Sequence, residues 1–149
     1  MAHLEFDMQT DLPPERVIGA LTDFSDRRPD LWPGLKREQY EVYEVGETSA
    51  LVKEGSGGSI WAKERYDWSH PGVVRWEVLE SGFCSPGSFV QADIAPRDGG
   101  GSRIHVTWER RATRFGTRLL LGFIVFTKGA PVRSSIRKGL ARVAAQPAT

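Results

Sequence analysis

Residues 60–80 read Ile60-Trp61-Ala62-Lys63-Glu64-Arg65-Tyr66-Asp67-Trp68, then Ser69-His70-Pro71-Gly72, then Val73-Val74-Arg75-Trp76-Glu77-Val78-Leu79-Glu80. Two runs rich in β-branched and aromatic residues alternate apolar and polar positions, and a short Pro-Gly turn separates them. Alternation of this kind sends every second side chain to one face of a strand. So short a connection leaves no room for a crossover helix, so the two runs form an antiparallel hairpin. The pattern continues on both sides. Runs 39–45, 50–54, 60–68, 73–80, 89–95 and 103–110 are divided by Gly46-Glu47-Thr48, Gly55-Ser56-Gly57-Gly58, Ser69-His70-Pro71-Gly72, Ser85-Pro86-Gly87 and Asp98-Gly99-Gly100-Gly101. The reading is a six-stranded antiparallel meander.

Upstream, Leu4-Glu5-Phe6-Asp7-Met8-Gln9 alternates as a seventh strand. Asp11-Leu12-Pro13-Pro14-Glu15 then opens a helix, with Asp11 or a neighbour as cap, prolines in the first turn and Glu15 near the positive end of the dipole. Val17, Leu21 and Phe24 form its buried stripe. Pro29 and Pro33-Gly34 interrupt this region and leave Leu31 and Trp32 on a second short helix or turn. Downstream, a helix is predicted from about Gly116. Leu119, Leu120, Phe123, Ile124 and Phe126 make its first part apolar nearly all round, a pattern of burial. Gly129 and Pro131 should kink or divide it, since proline removes a donor and clashes with the preceding turn. Beyond them Val132, Ile136, Leu140 and Val143 form a clean apolar stripe, with Arg133, Arg137, Lys138 and Arg142 off it.

The predicted class is α+β: a curved, seven-stranded antiparallel sheet around a long C-terminal helix, with two short helices after strand 1. A sheet of this size curls, and its apolar concave face needs a cover. The terminal helix is the one element able to supply it. One domain spans 1–145, and 146–149 read as a frayed end.

The totals agree with one domain: 149 residues suffice for a core without disulfides or metal. A single cysteine, Cys84, excludes an intramolecular disulfide. His3, His70 and His105 have no metal-ligand spacing, and no cofactor is expected. The glycine clusters match neither a P-loop nor a dinucleotide fingerprint. No basic region precedes an apolar stretch at the N-terminus, and the apolar run 119–126 is far below the ~20 residues of a spanning helix. The expectation is a cytoplasmic protein. Net charge is +1, yet no acidic residue follows Glu109 while nine basic ones do. That basic C-terminal segment reads as a solvated helix face, or as a surface for transient contact with an anionic membrane. Nucleic acid is not expected, because the rest of the chain is net acidic.

The element order, with Leu12-Pro13-Pro14-Glu15-Arg16-Val17 leading to Asp23-Phe24, then Leu31-Trp32-Pro33-Gly34-Leu35, Pro86-Gly87-Ser88 and Gly100-Gly101-Ser102-Arg103, resembles the START-like (SRPBCC) superfamily and its polyketide cyclase/dehydrase branch. The resemblance covers almost the whole chain. It implies the helix-grip fold, an architecture shared by cyclases, lipid-transfer domains, sensors and co-chaperones, so function has to come from the site.

Strand parity predicts the inner face. Ile60, Ala62, Glu64, Tyr66 and Trp68 share one side, as do Val74, Trp76 and Val78, then Val90, Ala92 and Ile94, then Ile104, Val106, Trp108 and Arg110. The candidate ligand-binding set is Trp32, Glu64, Tyr66, Trp68, Trp76, Trp108 and Arg110, with Leu119 and Phe123 from the covering helix. The tryptophans either line a pocket or fill the core between sheet and helix. Glu64 and Arg110, charges on an apolar face, orient a ligand or pair with each other. Glu54 is a weaker third candidate. Three functions follow. The first is binding or carriage of a hydrophobic small molecule such as a lipid, quinone or polyketide-like compound. The second is a polyketide cyclase, aromatase or dehydratase using Glu64, Tyr66 and Arg110. The third is a co-chaperone-like interaction module, which an exposed patch around Leu121 and Val125 would favour.

Overall fold

The computed structural model describes residues 2–146; most of the predicted frayed end, 147–149, lies outside them. Strand β1 (Ala2–Thr10) leads to helices α1 (Pro14–Leu21) and α2 (Arg28–Leu31) and a single 3-10 turn at Arg37–Gln39. Six strands follow: β2 (Glu41–Val45), β3 (Ser49–Gly57), β4 (Ile60–Asp67), β5 (Val73–Ser81), β6 (Phe89–Pro96) and β7 (Ser102–Arg110). Helices α3 (Phe115–Phe126) and α4 (Ala130–Ala144) end the chain. All seven strands join one antiparallel sheet in the order β1-β7-β6-β5-β4-β3-β2. The meander therefore pairs with its neighbours in sequence, and β1 closes onto β7 at the far edge.

The predicted parity holds on β4 to β7, whereas β2, at the sheet edge, is exposed on both faces. Leu4, Phe6 and Met8 of β1, Ala62, Glu64 and Tyr66 of β4, and Val90, Ala92 and Ile94 of β6 are all buried on the concave side. Val17 and Leu21 of α1 and Leu31 of α2 pack into the same core. Ser102, at the start of β7, is buried, and its hydroxyl donates to the Leu12 carbonyl at 2.7 Å. This bond ties the β1–α1 link to the start of β7. Asp11 does not cap α1. The helix begins at Pro14, so its N-cap is Pro13, whose ring has no acceptor for the free N–H groups of the first turn, and no side chain caps it.

The terminal helix is divided, as the glycine and proline predict, by a bend of 73°. The bend is a Schellman motif. Gly129 N–H donates to the Ile124 carbonyl at 2.8 Å and Lys128 N–H to the Val125 carbonyl at 2.9 Å. Lys128 and Gly129 are both left-handed, at φ 56° and 75°. Gly129 is also in close contact with β1: a Cβ there would lie 2.3 Å from Leu4 Cδ2. Helix α4 carries the predicted stripe into the core, where Leu140 and Val143 are buried. It is tied to the N-terminal helices by Arg142 Nη1 donating to the Asp30 carbonyl and Arg16 Nη2 donating to the Val143 carbonyl. At Gly139 it lies so close to Trp32 that a Cβ would come 2.2 Å from the ring.

Helix α3 departs from the expectation of burial. Leu121 is buried, and Ile124 and Val125 pack on the core, but Phe115, Leu119, Leu120, Phe123 and Phe126 are exposed. After the 73° bend α3 rests on β1 by one side only, so an all-round apolar helix has an uncovered face. With Leu121 buried and Val125 half-buried against the core, the particular patch expected to serve a protein-interaction module is largely covered.

The bend makes a stability test with opposite signs at adjacent positions. Gly129→Ala should cost about 2 kcal/mol, combining a left-handed φ with the Leu4 clash. Lys128→Gly should gain roughly 0.5–1 kcal/mol by relieving the strain of a left-handed non-glycine residue. Urea unfolding with unchanged m-values reads both.

Candidate ligand cavity

Between the sheet and α4 lies a cavity of about 480 Å³, within the usual range for small-molecule sites. Its walls come from Ala62, Glu64 and Tyr66 of β4, Trp76 of β5, Val90 of β6, Trp108 and Arg110 of β7, and Val132 and Ile136 of α4. Trp32, Pro33, Gly34 and Leu35, the β3–β4 turn at Gly55 and Ser56, Phe83 and Pro131 complete it. Exposed Gly34, Ser56 and Pro131 mark the mouth.

Two ion pairs serve the cavity differently. At one end Arg28, 3 % exposed, has every side of its guanidinium engaged. Nε donates to Glu54 Oε2 at 2.8 Å, Nη1 to the carbonyls of Leu21 and Asp23 at 3.0 Å each, and Nη2 to the Tyr66 hydroxyl at 3.1 Å. Tyr66 in turn donates to Glu54 Oε1. The guanidinium also lies over the rings of Phe24 and Tyr66, at 4.5 and 5.3 Å from their centroids. Burial opposes its charge, but the attraction of Glu54 and then of Tyr66 raises its pKa, so Arg28 stays cationic. Burial, and next to it the Glu54 carboxylate, pushes the Tyr66 hydroxyl well above the ordinary tyrosine value.

The second pair is looser. Arg110 Nη1 and Glu64 Oε2 stand 3.5 Å apart, close enough for charge attraction and too far for a good hydrogen bond. Glu64 is buried and Arg110 nearly so, their side chains 6 % and 11 % exposed. Burial, only partly offset by Arg110, pushes the Glu64 carboxyl up to about 7. The β4–β5 register shifts between Lys63 and Glu64, and such a bulge re-aims side chains next to a site. Among the described residues, four buried side-chain atoms lack a hydrogen-bond partner: Trp32 Nε1, Glu64 Oε2, Arg110 Nη1 and Arg133 Nε. The first three belong to residues that line the cavity.

Of the candidates named from sequence, Trp32, Glu64, Tyr66, Trp76, Trp108 and Arg110 meet around this cavity. Trp76 stacks on Tyr66 at 5.2 Å between centroids and 15° between planes. Three candidates do not meet there. Trp68 lies beyond the lining, beside Phe24 at 6.0 Å. Leu119 and Phe123 are 62 % and 57 % exposed, because the bend turns their helix away and leaves Val132 and Ile136 of α4 to cover the cavity. Sequence reasoning missed Arg28, since nothing in Arg27-Arg28-Pro29 tells the buried arginine from its exposed neighbour. Glu54 has a larger part than expected, as the partner of that arginine. His3 and His105, far apart in sequence, meet on the outer face through Glu5, with His105 also on Asp7 and His3 on Glu109. Hydrogen bonds to these carboxylates raise both imidazole pKa values, Glu5 leading for His3 and Asp7 for His105. Among the described residues no group of His, Cys, Asp and Glu is arranged to hold a metal ion.

Comparison with known proteins agrees with this architecture. The chain superposes on TTHA0849 from Thermus thermophilus with a TM-score of 0.75 at 21 % identity, covering 96 % of this chain and 97 % of that one. It superposes on the Zhui aromatase/cyclase from Streptomyces sp. R1128 with a TM-score of 0.76 at 16 % identity, covering 95 % and 93 %. A START superfamily protein from Mycobacterium smegmatis gives 0.74 at 11 % identity, covering 97 % and 98 %. At such identities these likenesses show the fold, the START-like helix grip. No curated protein matches the chain significantly. The family model described as polyketide cyclase / dehydrase and lipid transport matches residues 1–146, and the chain belongs to that family.

Proposed function

We propose that this protein binds a hydrophobic small molecule carrying a carbonyl or hydroxyl group, with its apolar body against Trp76, Trp108, Val132 and Ile136. The observation that carries the reading is the convergence of three buried polar atoms without a hydrogen-bond partner, Trp32 Nε1, Glu64 Oε2 and Arg110 Nη1, in residues around one apolar cavity; the last two share only a long ion pair at 3.5 Å. A buried polar atom left unpaired costs about 1–3 kcal/mol. A ligand oxygen that pairs with them recovers that cost, whereas a pure hydrocarbon does not. Arg110 and Trp32 can only donate, while Glu64 accepts when ionised and donates when protonated. A ketone oxygen suits the protonated form.

A second reading is an enzyme of the cyclase or dehydratase kind, and one observation favours it. A carboxyl whose pKa lies near neutrality can give or take a proton at working pH, and Arg110 beside it can stabilise enolate charge. Tyr66 has no such role in this reading, because its hydroxyl is held between Arg28 and Glu54. Turnover of a poly-ketone that falls at least tenfold in Glu64→Gln, with affinity retained, would select this reading; equal turnover in the variant would sink it.

Calorimetric titration with an aromatic ketone and its ketone-free counterpart tests the binding proposal. The ketone should bind the more tightly. Trp32→Phe, which keeps a ring and removes the donor, should weaken the ketone by about 3–10-fold and leave the hydrocarbon unchanged. Ile136→Trp, which fills the cavity from α4, should abolish both. Binding that survives Ile136→Trp would place the ligand elsewhere on the protein.

Glu64 also makes a pH test. Its folded pKa of about 7 lies above the ordinary 4.5, so between these values the folded state binds the extra proton. Stability contributed at this site therefore falls as pH rises through that window. Glu64→Gln should be more stable than the parent above pH 7, by up to roughly 3 kcal/mol, and the difference should vanish below about pH 4.5. Ketone affinity should likewise rise as pH falls through 7 in the parent and stay flat in the variant.

A further inference from the structure

Helix α3 presents an apolar stripe to solvent. Phe115, Leu119, Phe123 and Phe126 are 72, 62, 57 and 85 % exposed. At 3.6 residues per turn they fall within about 80° of arc. An exposed stripe of large side chains is unusual on a monomer and marks a surface that meets something. We infer that α3 docks flat on an anionic lipid bilayer, with the stripe in the interface and the surrounding cations on the lipid headgroups.

Charge chooses the occupant. Arg114 precedes the stripe, Arg118 flanks it and Lys128 follows it, all exposed. Arg114 is the N-cap of α3 and Arg118 lies in its first turns, at the positive end of the helix dipole, with no acidic residue in the first turn to offset them. Cations there cost helix stability, so their placement calls for a partner outside the helix. A second copy of this chain would fit poorly. A two-fold contact through the stripe brings the same cations face to face, since no acidic residue follows Glu109. An anionic surface supplies the missing countercharge along the whole face.

Geometry favours lying on the bilayer over crossing it. No single helix among the described residues is long and apolar enough to span. The 12 residues of α3 reach about 18 Å at 1.5 Å per residue, short of the ~30 Å hydrocarbon core. The site also has a consequence for the cavity. Pro131 and Val132, just after the bend that ends α3, belong to the cavity lining. A docked α3 holds that rim near the lipid surface, the source or destination of an apolar ligand. Docking itself does not depend on what the cavity holds.

Co-sedimentation of the full chain with phosphatidylcholine vesicles, with and without phosphatidylglycerol, tests the inference. Binding should require phosphatidylglycerol and weaken with added salt. Leu119→Ser with Phe123→Ser should reduce vesicle affinity at least tenfold. Arg114→Gln, Arg118→Gln and Lys128→Gln should each cost about fivefold. All these positions are exposed, so unchanged thermal unfolding identifies loss of docking rather than loss of fold. Ketone affinity in solution should be unaffected by the α3 variants, which separates failure here from failure of the cavity proposal. Absence of binding to phosphatidylglycerol vesicles would overturn the inference. So would equal binding by the double serine variant, or a concentration-dependent dimer that this variant dissolves.

Discussion

The guanidinium of Arg28 is the interaction on which the rest of this molecule is hung. It donates to the carbonyls of Leu21 and Asp23 at and just past the end of α1, to the Glu54 carboxylate of β3 and to the Tyr66 hydroxyl of β4, so one side chain joins the helical layer to two strands. A buried ion pair is not in itself a source of stability, since desolvation offsets much of its attraction. Its value here is that only one arrangement satisfies it. Removing Glu54 would leave a cation without its counterion at 3 % exposure, and removing Tyr66 would leave Arg28 Nη2 and Glu54 Oε1 without their shared partner, so these elements are held in one mutual position. With that end closed by polar bonds, the opposite end of the concave face can remain a cavity.

Coverage of the concave face is the second constraint, and it is met by only half of the C-terminal region. Helix α4 is anchored three ways against the N-terminal helices: the Gly139–Trp32 approach, the Arg142 bond to Asp30 and the Arg16 bond to Val143. Its stripe can therefore roof the cavity. Beyond the bend, α3 touches β1 on one side and faces solvent on the other. The same Gly129 that allows the left-handed turn also allows the close approach to Leu4, so the direction of α3 is determined by packing and not only by chain flexibility.

These two constraints differ in how they are written in the sequence. Alternation in β4 through β7 located the inner face, because a strand's period is two and a single slip would have exposed every valine on it. The division at Gly129 and Pro131 was legible for the same local reason. The exposure of Leu119 and Phe123 was not, because an apolar helix reads alike whether its second face meets a core or a surface. Arg28 was not legible either. Its burial depends on Glu54 and Tyr66 arriving from strands 26 and 38 residues away, and no local pattern separates it from Arg27. Glu64 and Arg110 stood out because their strands placed a charge where parity demanded an apolar residue.

The contrast between the two ion pairs carries the functional argument furthest. Both pairs are buried beneath the same sheet, and a fold selected only for stability would close both. The Arg28 pair is closed, with a hydrogen bond of 2.8 Å and both remaining guanidinium nitrogens hydrogen-bonded. The Glu64–Arg110 pair stays at 3.5 Å, with an acceptor and a donor unpaired and a carboxyl pKa near 7. The fold thus accepts a local cost beside a cavity, where the proposed ligand would offset it, and there a binding site differs from a core.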